Sequence, residues 1–440
     1  MQYYSLNRQS PPVDFKEATI RGQAPDKGLY FPEHIPVFDS SFFHNIEKMS
    51  DEEIAYQVMR PYVGASLPEN ILKKIIAETI NFPIPLVKLS EKIFCLELFH
   101  GPTLAFKDVG ARFMSRCLGY FTGSGGRRPQ STRSGQTVVL VATSGDTGGA
   151  VANGFYGVKG VEVVILYPSG KVSDVQEKQL TTLGKNIHAL EVNGNFDDCQ
   201  QLVKRAFTDQ EINQKVFLTS ANSINIARWL PQQIYYFFAY KQWPYREHPP
   251  VISVPSGNFG NLCAGILAHA SGLPVQHFIA ACNANDVVPE FLKTGSYHPK
   301  KTIATISNAM DVGDPSNFVR ILELFEQDVA ELNRILSAYS VTDDETRATL
   351  KKIYKQYRYI LDPHGAVGYL SLERFLKKTP GNKGLFVETA HPVKFYDVVE
   401  RVIEEKIPLP SGVREVMDKY KVTTKMDVDY SYLKEFLLKF

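Results

Sequence analysis

From about residue 91 onward the chain alternates continuous apolar runs with helix-like stretches, and this alternation limits the fold more than any other feature. The apolar runs are TVVLVAT (137–143), VEVVILY (161–167), NIHALEV (186–192), VFLTSAN (216–222), PVISVPS (250–256) and VQHFIAAC (275–282). Between them, DVQEKQLTTLG (174–184), FDDCQQLVKRAF (196–207) and IARWLPQQIYYFFAYKQ (226–242) read as helices. A strand that is apolar on both faces must be covered on both, so the pattern predicts parallel sheets flanked by helices. The expected class is α/β, with two doubly wound parallel-sheet domains, an N-terminal extension and a helix-rich C-terminal region. The expected divisions are 1–90, broken up by Pro11, Pro12, Pro25, Pro32 and Pro36, then 91–245, then 246–440. Beyond 310 the chain turns helical and charged, as in VRILELFEQDVAELNRIL (319–336).

Composition removes several function classes. A net charge of +2 over 440 residues leaves no broad field for nucleic acid or a membrane surface. There is no uncharged apolar run of transmembrane length, and MQYYSLNRQSPPVDF lacks a signal-peptide pattern. The five cysteines (Cys95, Cys117, Cys199, Cys263, Cys282) are scattered without ligand spacing, so buried reduced thiols are expected and no metal site. These features predict a cytoplasmic globular protein.

Chemistry concentrates in three turns. In LELFHGPTLAFKDVGARFM (96–114), Lys107 stands between a strand-like run and a helix-like run, flanked by Ala105 and Phe106. Desolvation there favours the neutral amine, the form that Schiff-base chemistry requires. In ATSGDTGGAVANGF (142–155), Ser144, Gly145, Asp146, Thr147 and Gly148 present hydroxyl and N–H groups at a helix start, suited to an anion. Helix capping alone needs fewer such residues. Asp146 is the awkward member, because a carboxylate repels an anion unless it is turned away or hydrogen-bonded. In SVPSGNFGNLCAGILA (253–268), Gly257, Asn258, Phe259, Gly260 and Asn261 form a second candidate anion turn. Neither turn ends in the glycine-lysine-Ser/Thr of a nucleotide loop, and neither has GxGxxG spacing. The Gly/Ser/Arg-rich segment TGSGGRRPQSTRSGQ (122–136) reads as a surface loop whose Arg127, Arg128 and Arg133 face an anionic ligand at most occasionally.

Seven ordered blocks carry a family resemblance: ELFHGPTLAFKD, TSGDTG (143–148), ILYPSGK (165–171), SANSINIAR (220–228), VPSGNFGN (254–261), SNAMDVGDPSNF (307–318) and TAHPVKF (389–395). With RGQAPDKGLYFP (21–32) they cover nearly the whole chain, which resembles the threonine synthase family, pyridoxal-phosphate enzymes of fold type II related to the tryptophan synthase β chain. The resemblance implies that Lys107 forms the internal aldimine with pyridoxal 5'-phosphate. It implies that Gly257 to Asn261 hold the cofactor phosphate and that Thr389 pairs with the ring nitrogen. It also implies that the TSGDTG turn engages a small-molecule substrate, O-phospho-L-homoserine, which is converted with water into L-threonine and phosphate.

Thr103, Ser144, Gly145, Asp146 and Thr147 are the candidate substrate contacts. Arg228 is the first candidate for the substrate's phosphate, an arginine fork being suited to that task. Lys171 and Lys178 come after it. Asp108 either orients Lys107 or caps its helix, and His391 and His100 are divided between pocket and structural roles. A monomer or small homo-oligomer is expected. The rival readings are a related lyase releasing 2-oxobutyrate and a catalytically inactive homologue.

Overall fold

The predicted apolar runs all supply strands to two largely parallel sheets in the computed structural model, which describes residues 1–123 and 137–440. Arg127, Arg128 and Arg133 lie outside these residues, and with them the expectation for that loop. The larger sheet runs Leu336–Ser340, His277–Cys282, Val251–Pro255, Gly384–Glu388, Ile93–Glu97 and Leu86–Lys88. Only the last pairing is antiparallel. The smaller sheet runs Thr424–Asp427, Ile187–Asn193, Val161–Pro168, Thr137–Ala142 and Phe217–Thr219, all parallel. Every residue of Ile93–Glu97, Thr137–Ala142 and Gly384–Glu388 is buried, so both strand faces are covered and side-chain alternation disappears.

The sheets do not follow the divisions expected at 90/91 and 245/246. Ile93–Glu97, just before Lys107, pairs with Gly384–Glu388 and so joins the strands that come after residue 250. Thr424–Asp427, near the C-terminus, closes the edge of the smaller sheet beside Ile187–Asn193. Composition shifts follow sequence order, whereas a sheet recruits whichever strand satisfies its open backbone edge. The N-terminal residues form a small antiparallel sheet of Gln2–Ser5, Val13–Asp14 and Tyr30–Pro32. Phe15 packs its ring against Phe113 and Phe121, fastening this extension to the helix that starts at Lys107.

Two stretches expected as helices are interrupted. Residues 226–242 divide into Ile226–Trp229, a 3-10 turn Leu230–Gln233 and Ile234–Gln242, because Pro231 has no N–H to continue the ladder. Residues 318–335 form Phe318–Leu324 and Val329–Ile335, separated at Glu326 and Gln327, whose φ values are 49° and 65°. All five cysteines are buried free thiols. Among the described residues no helix is long and apolar enough to cross a membrane.

Candidate active site

Three adjacent parallel strands, Val251–Pro255, Gly384–Glu388 and Ile93–Glu97, end side by side. The chain leaving them enters the Ser256–Asn261 turn, the Thr389–Phe395 segment and the turn before Lys107, respectively. Crevices outside the carboxyl ends of such strands are where open α/β sheets bind ligands. The topology thus brings together Lys107, Thr389 and the 257–261 turn, which are far apart in sequence.

Lys107 is the first residue of the helix Lys107–Thr122. The preceding turn is pinned to the 389–391 backbone: Phe106 N–H donates to the Thr389 carbonyl (2.9 Å) and His391 N–H to the Leu104 carbonyl (3.0 Å). Within the turn, Asp108 accepts from the Thr103 N–H (2.9 Å) and hydroxyl (2.5 Å). Gly101 is required here, since a Cβ would lie 2.4 Å from Asp108 Oδ2. The Tyr235 hydroxyl donates to the Phe106 carbonyl. Lys107 Nζ projects over the Phe106 ring, 4.9 Å from its centroid, with the side chain 15 % exposed. Burial lowers the Lys107 pKa against the pull of Asp146, and the charges of Lys394 and Arg228 add to the lowering.

The TSGDTG turn comes to this point from the smaller sheet. Thr143 Oγ1 accepts from Gly145 N–H (3.0 Å) and Gly148 N–H (2.8 Å), and helix Asp146–Phe155 begins there. Gly145 has φ 136°, a conformation that side-chain-bearing residues rarely adopt. The Ser144 and Thr147 hydroxyls have no hydrogen-bond partner among the described residues. Asp146 faces two ammonium groups: Lys394 Nζ at 2.6 Å from Oδ1 and Lys107 Nζ at 3.4 Å from Oδ2. Gln176 also donates to Oδ1 (2.9 Å). Burial opposes its ionisation, but Lys394 and Lys107 prevail and hold the carboxyl well below the usual range. The awkward carboxylate is thus turned away from the turn's N–H groups and fully engaged.

The 257–261 turn has the opposite character. Phe259 adopts φ 61° and the helix Gly260–Ala270 starts with no side-chain cap and no acidic residue in its first turn. Among the described residues, the N–H groups from Gly257 to Leu262 have no acceptor, and the buried Asn261 Nδ2 has none either. The turn is braced from behind: Asn317 N–H donates to the Asn258 carbonyl (3.2 Å) and Ser316 Oγ to Asn258 Oδ1 (3.1 Å). A Cβ on Gly257 would sit 2.7 Å from Met310 Cα, so only glycine lets these segments meet. Donors without acceptors at a helix start, in the crevice that also holds the half-buried Lys107, fit a phosphorylated aldehyde cofactor.

Thr389 is 7 % exposed, and its hydroxyl has no partner among the described residues. Beside it, Asp362 Oδ1 accepts from His364 Nδ1 (2.6 Å) while His364 Nε2 accepts from Ala309 N–H (3.2 Å). Asp362 Oδ2 accepts from Ala390 N–H (3.3 Å), so this pair ties the Thr389 segment to the loop that braces Gly257. Burial, then the charge of Asp362, raises the Glu388 pKa well above the carboxylate range. Burial, then His100, pushes His391 down to about 4, and its Nδ1 accepts from Val393 N–H (3.1 Å).

Several expected contacts are committed elsewhere. The Thr103 hydroxyl, expected to reach substrate oxygens, is taken by Asp108. Arg228, expected at the substrate's phosphate, is 3 % exposed; its Nη1 donates to the Ala221 carbonyl (2.5 Å) and its Nε is buried without a partner. Burial lowers its pKa to about 10. Lys178 donates to the Lys419 carbonyl, Lys171 is exposed, and His100 pairs with Glu97 Oε2 at 2.6 Å. Lys394, Gln176, Asp362, His364 and Glu388 were not anticipated. Lys394 lies inside the TAHPVKF block, but nothing in the sequence separates a buried lysine from a surface one.

Comparison with known proteins gives matches along the whole chain. Residues 2–80 match the profile of the threonine synthase N terminus, 78–388 that of the pyridoxal-phosphate-dependent enzymes, and 365–437 that of the threonine synthase C-terminal region. Threonine synthase from Serratia marcescens is 43% identical, with 100% of this chain and 99% of that one covered. The crystal structure of threonine synthase from Escherichia coli superposes with a TM-score of 0.91 at 42% identity, covering 100% of both chains. A threonine synthase from Brucella melitensis, crystallised with pyridoxal phosphate bound, gives a TM-score of 0.91 at 33% identity, covering 100% of this chain and 99% of that one.

Proposed function

The chain belongs to the threonine synthase family of pyridoxal-phosphate enzymes, and from that premise we propose how its residues share the work. It is a pyridoxal-phosphate-dependent lyase that converts O-phospho-L-homoserine and water into L-threonine and phosphate, the last step of threonine biosynthesis. When bound, pyridoxal phosphate supplies the electron sink for negative charge developing on the substrate's carbons. Lys107 would hold the cofactor's aldehyde carbon, the N–H groups of Gly257, Asn258, Phe259, Gly260 and Asn261 its phosphate, and the Thr389 hydroxyl its ring nitrogen.

The Lys107 amine, when free, would carry protons between the substrate's α and β carbons. That role needs a neutral amine poised near working pH, and the burial of Nζ against Phe106 supports it. The Ser144 and Thr147 hydroxyls, with the N–H groups of Ser144, Asp146 and Thr147, would bind the substrate's carboxylate. Thr103 and Asp146 act from behind, through Asp108 and the two lysines. Arg228 contributes positive potential from within the core.

The observation that carries this reading is a poorly solvated Lys107 beside a turn whose N–H groups have no acceptor. Its test is incubation with O-phosphohomoserine, with and without added pyridoxal phosphate. Equal amounts of threonine and phosphate are expected, dependent on cofactor. Release of 2-oxobutyrate instead would assign the chain to a related lyase, and no product would make it an inactive homologue. We take it to act in the cytoplasm as a monomer or small homo-oligomer; the net charge of +2 supports only the lack of a nucleic-acid partner.

A further inference from the structure

Two ammonium groups converge on one buried carboxylate, and only one of them has a role in the chemistry above. Lys394 is 0 % exposed, an environment that lysine almost never occupies unpaired. Its Nζ lies 2.6 Å from Asp146 Oδ1 and donates to the Thr103 carbonyl at 2.8 Å. Lys107 Nζ is left with Asp146 Oδ2 at 3.4 Å, beyond a charge-assisted hydrogen bond of ordinary length. Gln176 fills a further acceptor position on Oδ1.

We infer that Lys394 is a positioning residue that claims Asp146, so that the carboxylate cannot form a full ion pair with Lys107 and the Lys107 amine stays neutral. The inference rests on Lys107 being the cofactor lysine. The charge balance follows directly. With both lysines protonated the group carries one positive charge in a poorly solvated site. Loss of a proton from Lys107 brings it to neutrality, leaving Lys394 and Asp146 as a matched pair.

The other charged or titratable groups around Lys107 fit the same balance. Arg228, from the helix Ile226–Trp229, adds further positive potential. Asp108, in the Lys107 helix, has both oxygens taken by Thr103. The Tyr235 hydroxyl is engaged with the Phe106 carbonyl. No second carboxylate among the described residues reaches the Lys107 amine.

The test measures Lys107 itself. Full-length apoprotein is reductively methylated with formaldehyde over a pH series, and the extent at Lys107 is read by peptide mass spectrometry. The wild-type midpoint is expected below that of exposed lysines. Lys394→Met leaves Lys107 and Asp146 as a balanced pair, and the midpoint should rise by about 1 to 3 pH units, the usual effect of an opposite charge at contact. Lys394→Arg, which keeps the charge, should restore it towards wild type. If Lys394→Met does not fold, the comparison moves to the Asp146→Asn background. There, adding Lys394→Met removes a repelling charge and should again raise the midpoint, by less. An unchanged midpoint in folded Lys394→Met, or a rise in the Asp146→Asn background as large as an ion pair gives, would overturn the inference. Borohydride reduction of each variant with pyridoxal phosphate separates the two readings. Failure to label Lys107 even in wild type refutes the cofactor role, whereas labelling with unmoved midpoints refutes only the role of Lys394.

Discussion

The TSGDTG and SGNFGN turns look alike in sequence, each a glycine-rich link from a buried strand to a helix, yet they solve different electrostatic problems. In the first, Thr143 Oγ1 satisfies two N–H groups internally and the first helical turn carries Asp146. In the second, the N–H groups from Gly257 to Leu262 have no acceptor among the described residues and the first helical turn carries no acid. Asp146 is held by Lys394 and Lys107 rather than by the N–H groups of its own turn. The difference therefore separates a turn whose acid balances lysine charge from one whose open N–H groups suit a phosphate.

The largest expected effect breaks the first turn. Asp146→Asn leaves Lys394 buried beside an amide, and removing one partner of a buried pair costs about 3–5 kcal/mol. Chemical denaturation measures this. The pH dependence has a definite sign. Because the folded Asp146 carboxyl sits well below its ordinary range, it contributes stability in full above about pH 4. Below that, the unfolded chain takes up the proton first, so the contribution is lost as pH falls. Thermal unfolding between pH 5 and 3 should therefore show a shallower loss in Asp146→Asn than in the wild type. Gly257→Ala should keep the wild-type slope.

Gly257→Ala breaks the second turn. Its Cβ meets Met310 Cα at 2.7 Å and the Ala309 carbonyl oxygen at 2.9 Å, both backbone atoms. The displaced loop should cost about 1–3 kcal/mol of stability. It should also lower cofactor affinity by about tenfold, ~1.4 kcal/mol, as read by titration with pyridoxal phosphate. Thr143→Val sharpens the contrast, since it removes the internal acceptor of the first turn only. A loss of about 0.5–2 kcal/mol in stability is expected, with cofactor affinity unchanged. Smallest is Ser316→Ala, which removes one bond to Asn258 at the exposed edge of the cradle, about 0.5–1 kcal/mol in cofactor affinity.

The two turns also show what was legible in the sequence. Strands buried on both faces announce themselves as continuous apolar runs, so Thr137–Ala142 and Val251–Pro255, and the turns after them, could be located at once. The partners of those turns could not. Asp146 looked misplaced because its counter-ion, Lys394, is nearly 250 residues away in sequence and meets it only through the packing of the two sheets. Arg228 read as the first candidate to grip the substrate's phosphate, but all four residues of its short helix, Ile226–Trp229, are buried. The strand before Lys107 read as part of the first domain because sheet pairing has no local signature. The ring-nitrogen candidate Thr389 was identified by its block, yet the Asp362–His364 pair behind it joins residues too distant for any spacing rule.

The central claim is that Lys107, set between these two turns, carries the cofactor. The most direct measurement is borohydride reduction of the holoenzyme followed by peptide mapping. The account predicts a single pyridoxyl group on Lys107, absent from Lys107→Ala. A stable pyridoxyl group on Lys394 or another lysine, or a Lys107→Ala protein that still makes threonine at the wild-type rate, would contradict it.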